Sequence, residues 1–238
     1  MTGDIVLPQL AKLKGAALDI LFPQYCVGCG KEGSFICHSC RQSLLRIASP
    51  ICPRCGRPQP SGILCPDCVS WQAEIDGIRS PFRFEGVIRQ AIHQLKYRNL
   101  RALAVLLAEL LQDYLITNPV PADILVPVPI HQKRLRERGY NQSSLLAREL
   151  GKLNNLPVVD DCLTRRRHTP PQARTATVEE RRSNIADAFT CRGQRLRDKQ
   201  VLLIDDVATS GATLDACAAA LKASGAASAW GLVVAREI

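Results

Sequence analysis

The sequence predicts an α/β fold: a mainly parallel sheet flanked by helices, preceded by a small cysteine-rich domain. Three observations carry this. From about residue 76 onward, strand-like apolar runs alternate with helix-length periodic segments. Between residues 24 and 70 hydrophobic periodicity nearly vanishes, and Cys, Gly and Pro take its place. Eight of the 11 cysteines lie between Cys26 and Cys68, all in CxxC pairs. The expected organisation is a helix in residues 1–23, a Cys-rich unit in 24–75 and the α/β domain in 76–238.

Each element has its own signal. Leu10, Leu13, Ala17, Ile20 and Leu21 recur near a 3.6-residue period, which predicts an amphipathic helix over residues 8–22 ended by Pro23. IDGIRSPFRF reads as a strand, and GVIRQAIHQLKY and LRALAVLLAELLQDYL read as helices. ADILVPVPI is a buried strand running into a proline-bounded loop, and residues 142–153 are helical again. A short strand is expected in 157–163, then a long polar, Arg-rich stretch to about Asn184. VLLIDDV is a strand, residues 211–224 an Ala-rich helix, and SAWGLVVARE a final strand.

Composition sets the outer bounds. Of 238 residues, 46% are hydrophobic and 22% charged, as in ordinary soluble globular domains. No apolar run approaches the length of a bilayer span, and the N-terminus has no signal-peptide pattern, so a cytoplasmic protein is expected. The formal charge is +9, and eight thiolates on two Zn²⁺ would lower it to +5. Residues 76–238 hold 24 basic and 17 acidic side chains, so the positive charge lies there and favours an anionic partner. Phosphate-bearing small molecules and nucleic acid both qualify.

Cys26, Cys29, Cys37 and Cys40 form two thiolate knuckles, and Cys52, Cys55, Cys65 and Cys68 repeat the arrangement. YCVGCGKEGSFICHSC resembles ICPRCGRPQPSGILCPDC, each with a CxxCG turn. Four thiolates around Zn²⁺ make a closed tetrahedral site, which is structural chemistry. Two such sites form a double zinc ribbon. Sequential pairing fits the repeat, and interleaved pairing is the alternative. Cys162, Cys191 and Cys217 read as small buried hydrophobes.

VLLIDDVATSGAT, residues 201–213, is the most informative stretch. Ligands of open α/β sheets bind beyond the C-terminal strand ends, where Asp205 and Asp206 are expected to sit within reach of water. Ala208, Thr209, Ser210, Gly211, Ala212 and Thr213 lead into a helix, and small residues with free N–H groups suit a phosphate. The carboxylates suit sugar hydroxyls or a bridging Mg²⁺. A ribose 5-phosphate satisfies both halves. The bland reading is a helix-capping Asp pair. VPVPIHQKRLRERGYNQ places His131, Lys133, Arg134 and Arg138 after a strand, where cations suit a diphosphate, and Lys96 adds another. The bland readings are a solvated basic helix start and a surface lysine. Residues 165–184 suit a hood that excludes water, or else a basic linker.

The stretch resembles the phosphoribosyl-diphosphate (PRPP) signature of type I phosphoribosyltransferases. The double zinc knuckle, LKY, VPVP…RGYNQ, T-P-P-Q…R-x-x-N…AF and DDVATSGAT, in that order, resemble the ComF family over roughly residues 10–238. Arg174-Thr175 stands where that family often shows Gly-Leu, which bears on the packing and specificity of the hood. The resemblance implies a zinc domain joined to a type I phosphoribosyltransferase domain. It implies a role in natural competence, the handling of incoming single-stranded DNA, or in DNA utilisation, with competence proteins as partners. Asp205 and Asp206 would bind the ribose hydroxyls, Ala208–Thr213 the 5-phosphate, and residues 131–142 would fall in or beside the diphosphate loop. The activity expected is Mg²⁺-dependent pentosyl transfer from PRPP to an unidentified acceptor. The rival is a non-catalytic module that binds PRPP, a nucleotide or single-stranded DNA and recruits partners through the ribbons. A purine-salvage or amidotransfer enzyme fits less well, because no obvious base-stacking aromatic and no N-terminal catalytic cysteine stand out.

Overall fold

The computed structural model describes residues 24–166 and 188–238. The helix expected at 8–22 and most of the 165–184 stretch lie outside them.

The internal repeat in the Cys-rich segment is a structural one. Each CxxCG turn closes an antiparallel bridge, Tyr25 to Glu32 and Ile51 to Pro58. Each second CxxC opens a short helix, α1 (His38–Gln42) and α2 (Pro66–Val69). Gly30 and Gly56 adopt φ of +74° and +73°, the left-handed conformation that only glycine takes at low cost.

The sheet is parallel throughout, in the order β1-β7-β6-β3, with β2 also paired to β7. Its strands are β1 (Gly77–Arg79), β2 (Phe82–Arg83), β3 (Ile124–Pro127), β6 (Gln200–Ala208) and β7 (Ser228–Arg236). Alternation along β6 sorts the core into two halves. Leu202 and Ile204 pack with α3 (Gly86–Tyr97), α4 (Leu103–Thr117) and α6 (Gln142–Asn154), together with Ile36 and Leu44 of the first ribbon. Val201 and Leu203 pack with α7 (Ala212–Ala223), the arm of β4 (Leu163–Arg165) and β5 (Phe189–Cys191), and Cys52, Cys55 and Cys68 of the second ribbon. Each fully buried Leu, Ile or Val contributes roughly 1.5–3 kcal/mol. The ribbons therefore share the core of the sheet. The short helix α5 (Gln132–Arg138) lies between β3 and α6.

Two strands differ from expectation. IDGIRSPFRF is β1 and β2 with a break at Ser80-Pro81, because Pro81 has no N–H to continue the ladder. Ser80 fills the gap by donating its hydroxyl to the carbonyls of Phe82 (3.1 Å) and Val234 (3.4 Å). The strand expected at 157–163 shrinks to a bridge between Val158 and Leu125, and the regular strand β4 begins only at Leu163. Among the described residues, no helix is long and apolar enough to cross a membrane.

Candidate functional site

β6 loses its β3 partner after Ile204, where the N–H of Val128 makes the closing bond to the Ile204 carbonyl at 3.0 Å. Asp205 and Asp206 come next, still flanked by β7 through the Asp205–Val233 and Val207–Ala235 pairs. Asp205 Oδ1 accepts from the Ser143 hydroxyl at 2.8 Å and from the Asp206 N–H at 2.9 Å. Lys96 Nζ reaches Asp206 Oδ2 at 2.8 Å from the last turn of α3.

The expectation that water reaches these carboxylates is corrected by the structure. Asp205 and Asp206 are 9% and 3% exposed, because β7 flanks them and Lys96 lies on Asp206. Burial, and next the charge of Asp206, push the Asp205 carboxyl up to about 7. Burial works against the Lys96 ammonium, but Asp206 and then Asp205 outweigh it and hold its pKa above the ordinary lysine value.

The strand then delivers its chain into the small-residue loop. Ala208 and Ser210 are buried, Thr209 is exposed, and Gly211 caps α7 with φ +83°. A Cβ on Gly211 would meet Ile78 Cδ1 of β1 at 2.8 Å and Trp71 Cη2 at 3.2 Å, so the loop rests on β1 and on the linker that follows the second ribbon. Asp215, in the first turn of α7, accepts from the N–H groups of Glu74 (2.8 Å) and Ile75 (3.0 Å) of that linker. As in any helix, the first N–H groups of α7 have no intrahelical partner.

The segment expected as a diphosphate loop is α5. His131 is its N-cap, with Nδ1 accepting from the Lys133 N–H at 3.2 Å, and Gly139 ends it at φ +79°. Asn141 ties this turn to the end of β3 by donating to the Val128 carbonyl at 2.9 Å. Lys96, Arg134 and Arg138 line one cavity of about 470 Å³ with Tyr97, Asn99, Glu137 and Tyr140. Lys133 is exposed and stands apart from that lining.

Sequence reasoning missed two participants. Ser143, fully buried on α6, holds Asp205; its only sequence signal is its place just after RGYNQ. Tyr97 is 63% exposed with the Arg138 guanidinium 5.5 Å from its ring centre, an aromatic surface already present in the LKY motif.

The cysteines assemble as two sequential groups, Cys26/Cys29/Cys37/Cys40 and Cys52/Cys55/Cys65/Cys68, with the ligand atoms of each group within 4.8 Å of one another. The interleaved pairing is thereby excluded. Their chemistry fits Zn²⁺. Burial opposes ionisation of Cys26, but the N–H groups of Cys37, Cys29 and Gly28 outweigh it and bring the thiol to about 6. Cys52 is likewise lowered to about 6, with burial overcome by the N–H groups of Cys55, Cys65 and Arg54. Of the three remaining cysteines, Cys162 and Cys217 are buried as expected, and Cys191 is half-buried. Because Cys68 lies in the shared core and Cys29 on the surface, Cys68→Ser is expected to cost about 3 kcal/mol and roughly 6–12 °C in Tm. Cys29→Ser should cost less than half of that, and calorimetric melting of the two variants checks the order.

A parallel α/β sheet with a buried carboxylate pair above a loop-to-helix turn, fronted by two ribbons of four cysteines each, defines the class of protein. Residues 17–69 match the double zinc ribbon domain family. The chain is 29% identical to competence protein ComFC of Bacillus subtilis over 202 residues, covering 82% of this chain and 81% of that one. It is 28% identical to competence protein F of Haemophilus influenzae, covering 83% and 89%. It is 30% identical over 200 residues to the DNA utilization protein YhgH of Salmonella typhi, covering 81% and 86%. The chain belongs to the ComF family. Among solved structures it resembles a glutamine PRPP amidotransferase from Bacillus subtilis, at 18% identity, 55% of this chain, 25% of that one and a TM-score of 0.35. It also resembles a purine phosphoribosyltransferase from Pyrococcus horikoshii, at 21%, 54%, 68% and 0.29. Overlaps this partial carry no argument about chemistry.

Proposed function

We propose that this protein binds PRPP with Mg²⁺ and acts as a phosphoribosyltransferase-type protein in the handling of incoming DNA. The observation that carries the reading is the carboxylate pair at the end of a parallel strand, leading directly into the loop and N-terminus of α7. Asp205 and Asp206 take the ribose hydroxyls and Ala208–Thr213 the 5-phosphate. Arg134, Arg138 and Lys96 face the diphosphate from the cleft. Asp206 would help to hold Mg²⁺, which would supply positive charge to neutralise the leaving diphosphate.

Lys96 is the ion that holds Asp206 before the ligand arrives. When the ribose hydroxyls take over the carboxylate, the Lys96 ammonium is released to meet the diphosphate in the cavity that it lines. In transfer, an acceptor lone pair forms a bond to C1′ as the C1′–O bond to diphosphate breaks and diphosphate carries off the electron pair. Asp205 and Asp206 stabilise the positive charge that develops on the sugar. Competence and DNA utilisation relatives support the DNA context, and the site of action in this reading is the cytoplasm.

A second reading is favoured by one observation. The exposed Tyr97 ring sits among Lys96, Arg134 and Arg138, as in surfaces that stack single-stranded bases and neutralise their phosphates. In that reading the protein is a non-catalytic adaptor. Calorimetric titration of the zinc-loaded protein separates the two. Saturable, Mg²⁺-dependent PRPP binding that disappears in the Asp205→Asn, Asp206→Asn double variant supports the first. Single-stranded DNA affinity that falls steeply with salt and ignores the Asp pair, with no PRPP binding, supports the second.

A further inference from the structure

The two cysteine sites differ in what surrounds them. At the first, only Cys26 is buried, while Cys29 is exposed and Cys37 and Cys40 are half-buried. The arginine on its helix, Arg41, already donates to Asp113 at 2.8 Å. At the second, Cys52, Cys55 and Cys68 are buried.

Two arginines accompany that second site. Arg236 is 1% exposed, and neither its Nε nor its Nη1 has a hydrogen-bond partner among the described residues. Arg57 Nε is buried and equally without one, although Arg57 Nη1 holds Asp67 at 2.8 Å. Arg57 follows the Cys52-x2-Cys55-Gly56 knuckle, and its carbonyl accepts from the Cys52 N–H at 2.8 Å. Arg236 stands at the C-terminal end of β7, beside the same ribbon. Burial presses its pKa down, the Cys55 thiol resists that, Arg57 adds to it, and Cys68 and Cys65 resist it in turn. Three buried N–H donors without an acceptor therefore belong to two arginines, one within the knuckle of this site and one within electrostatic reach of its sulfurs.

Buried cationic donors without acceptors are costly, and native proteins rarely leave them so. A neutral thiol is a weak acceptor. A zinc-bound thiolate is a strong one, and four of them on Zn²⁺ carry a net charge of about −2. We propose that Arg236 and Arg57 donate to the sulfurs of the Cys52/Cys55/Cys65/Cys68 site when zinc occupies it, neutralising the tetrathiolate and making this the tighter and more slowly exchanging of the two zinc sites. The orphaned donors are then the outer half of the metal site. The first ribbon has no such layer among the described residues and gives up its zinc first. The inference rests on the cysteine and arginine geometry and is independent of the PRPP reading.

The test follows zinc release from the full-length, zinc-loaded chain with a chromophoric chelator. Two phases are expected, and Cys29→Ser assigns the fast one by abolishing it. Arg236→Met should speed the slow phase about 10–100-fold and leave the fast phase unchanged, in line with the effect of losing a ligand's outer partner. Its zinc-free form should melt no lower than the zinc-free parent, since a buried unpaired charge has been replaced by an apolar side chain of similar length. That separates a role toward the metal from a purely structural one. An unchanged slow phase, or equal acceleration of both phases, overturns the proposal. If Arg236→Met does not fold, Arg57→Gln carries the same test: selective acceleration of the slow phase supports the proposal, and an unchanged slow phase overturns it.

Discussion

Asp205→Asn is expected to make the protein more stable at pH 8 while it removes Mg²⁺-dependent PRPP binding. The sign follows from the carboxyl held at about 7 in the fold against 3.8 in an exposed chain. Between those values the folded state keeps a proton that the unfolded state has lost, so stability falls as pH rises through that window. Above pH 7 the penalty is complete, and it corresponds to at most roughly 4 kcal/mol. Asparagine keeps an oxygen for the Ser143 hydroxyl and the Asp206 N–H and removes the charge. The gain should be near zero at pH 4 and full at pH 8, as urea unfolding at the two pH values would read. A variant equally stable to the parent at both would mean that burial exacts no cost at this carboxylate. A variant that gained stability and still bound PRPP would remove Asp205 from the proposed sugar site.

Lys96→Met should do the reverse. The Asp206 side chain is 4% exposed, and Lys96 is the cation that meets it. Removing one partner of a buried pair strands the other, at a cost of about 3–5 kcal/mol. In the parent, the raised Lys96 pKa means that the pair's contribution is complete below the ordinary lysine range and lost only as pH climbs through the raised value. In the variant the loss should be largest at pH 8 and shrink by pH 5, as the neighbouring Asp205 carboxyl takes up its proton and removes the like charge. Millimolar Mg²⁺ at pH 8 should restore part of it if the carboxylates hold the ion. A loss independent of both pH and Mg²⁺ would show that Lys96 matters only for the packing of its methylene stem.

The pattern of these effects explains what the sequence could and could not disclose. The eight cysteines were legible as metal-binding knuckles, because a CxxC knuckle is a local object, but the repeat only favoured sequential pairing, and the structure decided it by bringing each four together. The strands and helices around Leu202, Leu107 and Leu146 were legible because burial on one or two faces writes a period into the chain. The DDVATSGAT turn was legible for the same local reason. What escaped was every relationship that spans the chain. Nothing near Lys96 signals that it will lie on Asp206, 110 residues later. Ser143 looks like an ordinary residue near a helix N-terminus until α6 is packed against β6. Arg236 carries no signal beyond its place near the end of the final strand, and only tertiary packing buries it. The expected exposure of the carboxylates failed for that reason too: a strand end is open only if no other element covers it.

The position of β7 has a consequence for biosynthesis. It lies between β6 on one side and β1 and β2 on the other, and it is the C-terminal strand of the described sheet. Nothing upstream of Ser228 can join those two sides. The ribbons can fold around their metal as soon as they leave the ribosome, but β1 and β2 must wait through roughly 150 further residues for the strand that joins them to the sheet. Throughout that interval the ribbons hold one edge of these strands, through the Arg46–Phe82 bridge and the Ile78 N–H on the Arg54 carbonyl, while the edge meant for β7 and the apolar flank of the second ribbon stay uncovered and prone to wrong pairing. A ribosome stalled short of Ser228 would release a metal-loaded head on an unassembled body, a species suited to capture by chaperones rather than to function.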